Sequence, residues 1–306
     1  MPQLEINLYY PYQYIHLLCL YLAASSFGLH AHMQIVEHCT HLFAKDRVPT
    51  EGYAYACLKE NSVSVPVTYL AVPWGQLIKT KKLHTVPKNL PVSNGFTICH
   101  HICFEQIIPI LKQLGVAVLF TPHVVKKKEY KDITVLPFPH YPVNGIPPSA
   151  TKDIYYSFIG FISHPVRNAL FRLPTHDDVI IKKRKKWHFY GTDQNEKKEY
   201  QNVLARSRFS LCPRGTGAST VRFWESLQAG AIPILISDAM VLPDFIDWDG
   251  CIVRVPELKV HTIPELLASI SKEQECDMRK RCIEVFDLFF GRNFASCIHA
   301  FYNQNH

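Results

Sequence analysis

Residues 207–236 leave few folds open to this chain. Phe209-Ser210-Leu211-Cys212 reads as a short apolar strand and Pro213-Arg214-Gly215-Thr216-Gly217 as a loop. Ala218 to Ala229 reads as a helix stopped by Gly230, and Ile232-Pro233-Ile234-Leu235-Ile236 as the next apolar strand. Two continuous apolar strands joined through a helix make a βαβ unit, whose sheet must be covered on both faces. Ile154 to Phe161 reads as a further strand, and Tyr200 to Arg206 continues a helix. The first half has the same rhythm. Leu4 to Tyr10 alternates like a strand, with a helical stretch from Tyr12. Gly95 to His100 reads as a strand, Phe104 to Leu114 as a helix ending at Gly115, and Val116 to Phe120 as a strand. Between the halves, Pro137, Pro139, Pro142, Pro147 and Pro148 place five prolines in twelve residues, which neither a helix nor a central strand tolerates. The expected fold class is therefore α/β. Two Rossmann-like domains, 1–145 and 146–306, face a cleft and are joined by a linker around 137–153.

Composition narrows the function. Of 306 residues 47% are apolar, which excludes a wholly disordered chain, and the 13 glycines and 21 prolines show no period, which excludes collagen-like and repeat architectures. The net charge of +7 is concentrated in Lys126-Lys127-Lys128 and Lys182-Lys183-Arg184-Lys185-Lys186. Local patches on an otherwise neutral chain do not suit a nucleic-acid coat. The longer run reads first as a solvated loop and second as a contact for an acidic acceptor or a membrane surface; no stacking aromatic pattern accompanies it beyond Trp187, and no nucleic-acid partner is expected. The ten cysteines are scattered without a CxxC, as for reduced thiols in a reducing compartment. Cys99-His100-His101-Ile102-Cys103 matches no familiar zinc spacing. Ile15 to Leu29 is apolar, but no Lys or Arg precedes Lys45 and His16, Ser25, Ser26 and Gly28 interrupt it. A buried first helix is expected rather than a signal or a transmembrane segment, and with it a cytoplasmic location.

The chemistry centres on the strand–turn–helix. A helix N-terminus leaves N–H groups unpaired, and a glycine-containing turn lets backbone approach a ligand, so this is an anion site. Arg214 and Gly215 lie in the loop, with Thr220 at its end. Ser219, Arg222 and Glu225, at i, i+3 and i+6, share one helix face in this reading. Hydroxyl and guanidinium suit a phosphate, and a carboxylate suits ribose hydroxyls. A Walker loop is absent, and Thr220 stands where a dinucleotide fingerprint needs its third glycine. On spacing alone, Arg222 and Glu225 fit an intrahelical ion pair equally well.

Ser207-Arg208-Phe209, Leu211-Cys212-Pro213 with Gly215, then Ser219, Arg222 and Glu225, then Gly230 to Ile234, Asp238, Leu242-Pro243, Trp248 and Glu257 together resemble the exostosin family of glycosyltransferases. Upstream, Tyr156-Ser157-Phe158-Ile159-Gly160 with Arg167 resembles the start of that family's domain. The motifs span about 155–257, and the first half is similar only in layout. The resemblance implies a GT-B architecture and an inverting transfer from a sugar nucleotide, usually UDP-linked, to a glycan or glycoprotein hydroxyl. It implies diphosphate contacts at Arg167, Arg214, Ser219 and Arg222 and a ribose contact at Glu225. The chain departs from animal exostosins in showing no convincing N-terminal anchor and no room for a second catalytic domain. A Golgi location and a heparan-type product are therefore not expected.

An inverting displacement needs a base near the acceptor hydroxyl. His100 and His101 end one expected strand and His123 follows another, where functional side chains of parallel α/β domains gather. Glu105 and Asp132 are less well placed. Asp247-Trp248-Asp249 has the DxD form of a metal site, but follows Leu242-Pro243, where the exostosin pattern has only the tryptophan. It reads as a surface turn, and no metal or prosthetic group is expected. Two rival readings remain: a non-catalytic glycan- or nucleotide-binding protein of the same fold, and a fucosyltransferase-like enzyme using a GDP-sugar.

Overall fold

The computed structural model describes residues 33–45, 49–63, 65–125, 130–185, 193–290 and 293–304. The expected strand at 4–10, the apolar stretch 15–29, Lys126-Lys127-Lys128, Lys186 and Trp187 lie outside them.

Two five-stranded parallel sheets organise the chain. The first has the order β1 (Gln34–Glu37), β2 (Thr68–Ala71), β3 (Gly95–Ile98), β4 (Val116–Thr121), β5 (Thr134–Pro137). The second contains β6 (Ile154–Gly160), β7 (Val179–Lys183), β8 (Ser207–Pro213), β9 (Ile232–Ile236) and β10 (Val253–Arg254), in the order β10-β9-β8-β6-β7. β2, β3 and β9 are buried along their whole length, as strands covered on both faces must be.

Several expected elements start or stop elsewhere. β3 ends at Ile98, so His100 and His101 lie in the turn beyond it. Phe104 to Leu114 is not one helix. A 3₁₀ turn, Phe104–Ile107, passes into an α-helix, Ile108–Gln113, where Pro109 has no N–H to continue the earlier turn. The helix after β8 spans Val221–Gln228, not 218–229, because Thr220 is extended (φ −142°, ψ 133°). Gly230 ends that helix with φ +60°, a value that costs a side chain steric strain.

The prolines do separate the sheets. No regular element lies between Pro137 and Ile154, but the segment is packed: Phe138, His140 and Ile146 are buried. Asn144 and Ile146 tie it to the second sheet's helices. The Gln201 side chain donates to Asn144 O at 2.5 Å, and Ile146 N donates to Gln228 Oε1 at 2.8 Å. The helix Lys272–Phe289, opened by a Ser271/Gln274 capping box, covers the second sheet with Phe289 5.3 Å from Trp224. The helix Ser296–Gln304 returns to the first sheet: Tyr302 lies 5.7 Å from Phe96, and Phe301 lies 6.1 Å from Phe120.

The loops beyond β4 and β9 meet in an antiparallel bridge, Val125 to Met240, so the C-terminal strand ends of the two sheets face each other. That is the GT-B layout. Lys182 and Arg184 of the basic run pair with Glu199 and Glu196 of the helix Gln194–Arg206. Among the described residues no helix is long and apolar enough to cross a membrane.

Candidate active site

One rim of the cleft is the loop 214–220. Arg214 N donates to Ile236 O at 3.0 Å, which anchors the loop to β9. Arg167, in the short helix Val166–Leu170, lies underneath. Its Nε donates to Arg214 O at 2.9 Å, its Nη1 to Phe161 O at 2.9 Å and its Nη2 to Pro213 O at 3.4 Å. Burial, then the neighbouring Arg222 charge, lowers its pKa to about 10, so it stays charged at neutral pH. Three carbonyls thus make Arg167 the brace of the loop.

Arg222 is the second cation. Its Nη2 donates to Ile159 O at the end of β6, and its guanidinium lies 4.7 Å from the Phe158 ring centre and 4.9 Å from that of Tyr200. Glu225 does not pair with it. That carboxylate is 2% exposed and accepts from Asn144 Nδ2 and Tyr200 Oη, each at 2.6 Å. The intrahelical ion pair is therefore not formed. Burial raises the Glu225 pKa, and these two donors oppose the rise. A ribose hydroxyl reaching Glu225 has to displace one of them. Arg214 lies 3.7 Å from Glu257 Oε1, the same oxygen accepts from Asp238 N, and Glu257 N donates to Asp238 Oδ1.

In and beside the loop, polar atoms stand without partners. Ser219 Oγ, Ser163 Oγ and Arg214 Nε are buried and make no hydrogen bond. Such atoms cost about 1–3 kcal/mol each unless something binds them. Ser219 precedes the helix, so it shares no helix face with Arg222 and Glu225, contrary to expectation. It belongs instead with the loop N–H groups and with Thr220, the N-cap, whose hydroxyl makes no capping bond. At Gly215 an added Cβ would sit 3.4 Å from Arg167 Nη2 and 3.5 Å from Ser163 Oγ, an ordinary van der Waals separation.

The opposite rim is histidine-rich. His123 is 7% exposed and stands against His140, with ring centres 5.1 Å apart. Its ring bonds to the His100 backbone. Burial, then the charges of His100 and His101, lowers its pKa to about 3, so it is neutral. Its Nδ1 has no partner and points at the loop 214–220: a Cβ on Gly217 would lie 2.5 Å from it and 2.9 Å from Ile102 Cγ2. Glycine at 217 is what lets the two rims touch. His101 Nδ1 accepts from Cys103 N at 3.1 Å, so the Nε2 of the neutral ring carries the proton, and burial lowers its pKa. His100 keeps a partly exposed side chain, and its Nδ1 lies 2.9 Å from Oε1 of Glu51. Sequence reading missed Glu51, which lies 49 residues earlier in the helix Pro49–Glu60 and is 0% exposed. The remaining candidates are occupied elsewhere. Glu105 accepts from Tyr130 Oη at 3.0 Å, and the largely exposed Asp132 lies 3.6 Å from Lys112 Nζ.

Asp247 and Asp249 are exposed, with Asp249 N donating to Asp247 Oδ1 at 3.2 Å. They precede β10, at the N-terminal edge of the second sheet, away from the cleft. Among the described residues no group of three or more His, Cys, Asp or Glu side chains is arranged to hold a metal.

A model of the Exostosin GT47 domain matches residues 106–270, more than half of the chain. Exostosin-1 homolog of Caenorhabditis elegans is 33% identical over 141 residues, covering 42% of this chain and 37% of its own length. Exostosin-1 of Drosophila melanogaster is 29% identical over 147 residues, covering 44% and 19%. The chain thus spans well under half the length of these relatives. Among solved structures, TarM covers 83% of this chain and 57% of its own with a TM-score of 0.45 and 9% identity. The lipopolysaccharide outer core galactosyltransferase WaaB covers 74% and 78% with a TM-score of 0.39 and 14% identity. At these scores neither structure bears on the site.

Proposed function

The chain belongs to the exostosin GT47 family of glycosyltransferases, and from that premise we propose that it moves a sugar from a UDP-sugar to a glycan hydroxyl with inversion at the anomeric carbon. The observation that carries the reading is the meeting of two unlike rims at Gly217: an arginine-bearing loop with unpartnered polar atoms, and a cluster of histidines. The loop N–H groups, Arg214, Arg222, Ser219 and Thr220 take the diphosphate, and Arg167 holds the loop in shape. The ribose hydroxyls replace Asn144 as donors to Glu225. As the glycosidic bond breaks, its electron pair passes to the β-phosphate oxygen, and fixed guanidinium and N–H groups stabilise that charge without a metal.

On the other side, the acceptor oxygen forms the new bond while its proton passes to a base. His100 is the strongest candidate. His123 is too weak a base with its pKa near 3, and the Nδ1 of His101 is already an acceptor for Cys103 N. The test is release of UDP from a panel of UDP-sugars in the presence of mixed glycan acceptors, with the anomeric configuration of the product read by NMR. Turnover with an inverted product supports the proposal. Retention would overturn the mechanism. Turnover or binding of GDP-sugars alone would favour the fucosyltransferase-like alternative. Nucleotide binding without turnover would favour a binding protein.

A further inference from the structure

Glu51 is more deeply buried than any other carboxylate near the cleft, and it has no part in the reading above. Its Oε1 accepts from His100 N at 2.9 Å and from Gly75 N at 3.1 Å, and its Oε2 lies 3.2 Å from Gly75 N. Oε1 also lies 2.9 Å from His100 Nδ1, off the line of a hydrogen bond. Gly75 leaves room for this ring: a Cβ there would lie 2.4 Å from His100 Cε1. A buried carboxylate is tolerated only with partners, and two backbone N–H groups provide them from one side. The His100 ring stands at the other.

We propose that Glu51 is the positioning residue for His100, holding the imidazole in the tautomer that carries its proton on Nδ1 and so leaving Nε2 free to accept the acceptor hydroxyl's proton. This rests on the glycosyltransferase reading. The Nδ1 proton stays beside Glu51 throughout. The acceptor proton moves to Nε2, the acceptor oxygen's electron pair forms the bond to the anomeric carbon, and the bond to UDP breaks toward the phosphate. The carboxylate then faces the imidazolium that the transfer creates, as in other carboxylate–histidine pairs. The ionisable groups around the pair are Tyr69 and Cys99, which sense the Glu51 charge, and His101, His123 and His140, which sense His100.

Two measurements test the assignment. In Glu51→Gln the amide nitrogen can donate to Nδ1 and favour the opposite tautomer. We expect kcat to fall by about 10²–10⁴-fold, the range for a positioned base, with the UDP Kd within about twofold of wild type. In a His100→Ala background the same substitution should cost nothing further. An unchanged kcat in folded Glu51→Gln, or losses that multiply in the double variant, overturns the proposal. Wild-type protein labelled with ¹⁵N-histidine, its His100 signals assigned by their loss in His100→Ala, should show the proton on Nδ1. A proton on Nε2 overturns the proposal even if Glu51→Gln does not fold. The NMR result is independent of turnover. If no UDP-sugar is consumed by the wild type, the glycosyltransferase reading fails, while the tautomer still decides whether Glu51 sets the ring.

Discussion

The two rims of the cleft stand on equivalent edges of parallel sheets, yet they handle charge in opposite ways. On the second sheet, carbonyl oxygens and ring faces surround the guanidinium groups of Arg167 and Arg222. On the first, burial and mutual repulsion drive His123 and His140 to their neutral forms. Permanent positive charge suits a leaving diphosphate, and a neutral imidazole suits proton abstraction. The proposed placing of the donor on one rim and the acceptor on the other rests on this difference.

The sharpest way to break that division is His100→Ala. Turnover should fall by about 10²–10⁴-fold while UDP affinity stays put, because the proposal puts the nucleotide on the other sheet. Steady-state rates beside calorimetric titration with UDP decide it. A parallel loss of affinity would mean that the histidine rim also holds the nucleotide.

The converse experiment removes cations from the donor rim. Arg214→Ala and Arg222→Ala should each weaken UDP binding by about 1.5–3 kcal/mol, the range for hydrogen bonds to charged groups. Arg214→Ala is the cleaner variant. Arg222→Ala also strips the Ile159 carbonyl of its donor and should lower the melting temperature as well. Calorimetry that finds unchanged affinity in both, with the fold intact, removes the loop from the nucleotide site.

The rims also differ in how far the sequence reveals them. The donor rim is local: β8, its loop and the following helix are contiguous, and their apolar strands, glycine turn and glycine stop were all readable. Only the helix start was misplaced, because Thr220 takes an extended backbone that composition does not encode, and that moved Ser219 off the helix face. The acceptor rim is assembled from distant pieces. The turn after β3 that presents His100 and His101 was legible, but Glu51 comes from a helix 49 residues upstream, and no spacing rule links the two. The same holds for the role of Gly217, which depends on contact with His123 across the cleft. Ion pairing between Arg222 and Glu225 was undecidable from spacing, because Tyr200 and Asn144, which occupy the carboxylate, come from other segments.

That contact offers a smaller test. Gly217→Ala places a methyl group 2.5 Å from the present position of His123 Nδ1. Overpacking of this kind typically costs about 1–3 kcal/mol. His123→Ala should relieve it, giving a coupling of about 0.5–3 kcal/mol in a double-mutant cycle read by thermal or chemical unfolding. Additive effects would mean that the rims are separated in solution.

The smallest expected effect is none at all. If guanidinium groups and loop N–H groups neutralise the leaving diphosphate, activity should survive EDTA. The competing assignment is the Asp247-Trp248-Asp249 turn. Trp248 is buried and donates from Nε1 to Pro243 O at 2.6 Å, which fixes the turn at the edge of the second sheet opposite the cleft. The two aspartates on either side of it are exposed. Rates measured with EDTA, and again after adding Mn²⁺, should agree. Complete loss on chelation with recovery on Mn²⁺ would show that the donor rim's positive charge is incomplete as built. Asp247→Asn would then tell whether this turn or another group holds the ion, since only a ligand's loss should reproduce the effect of the chelator.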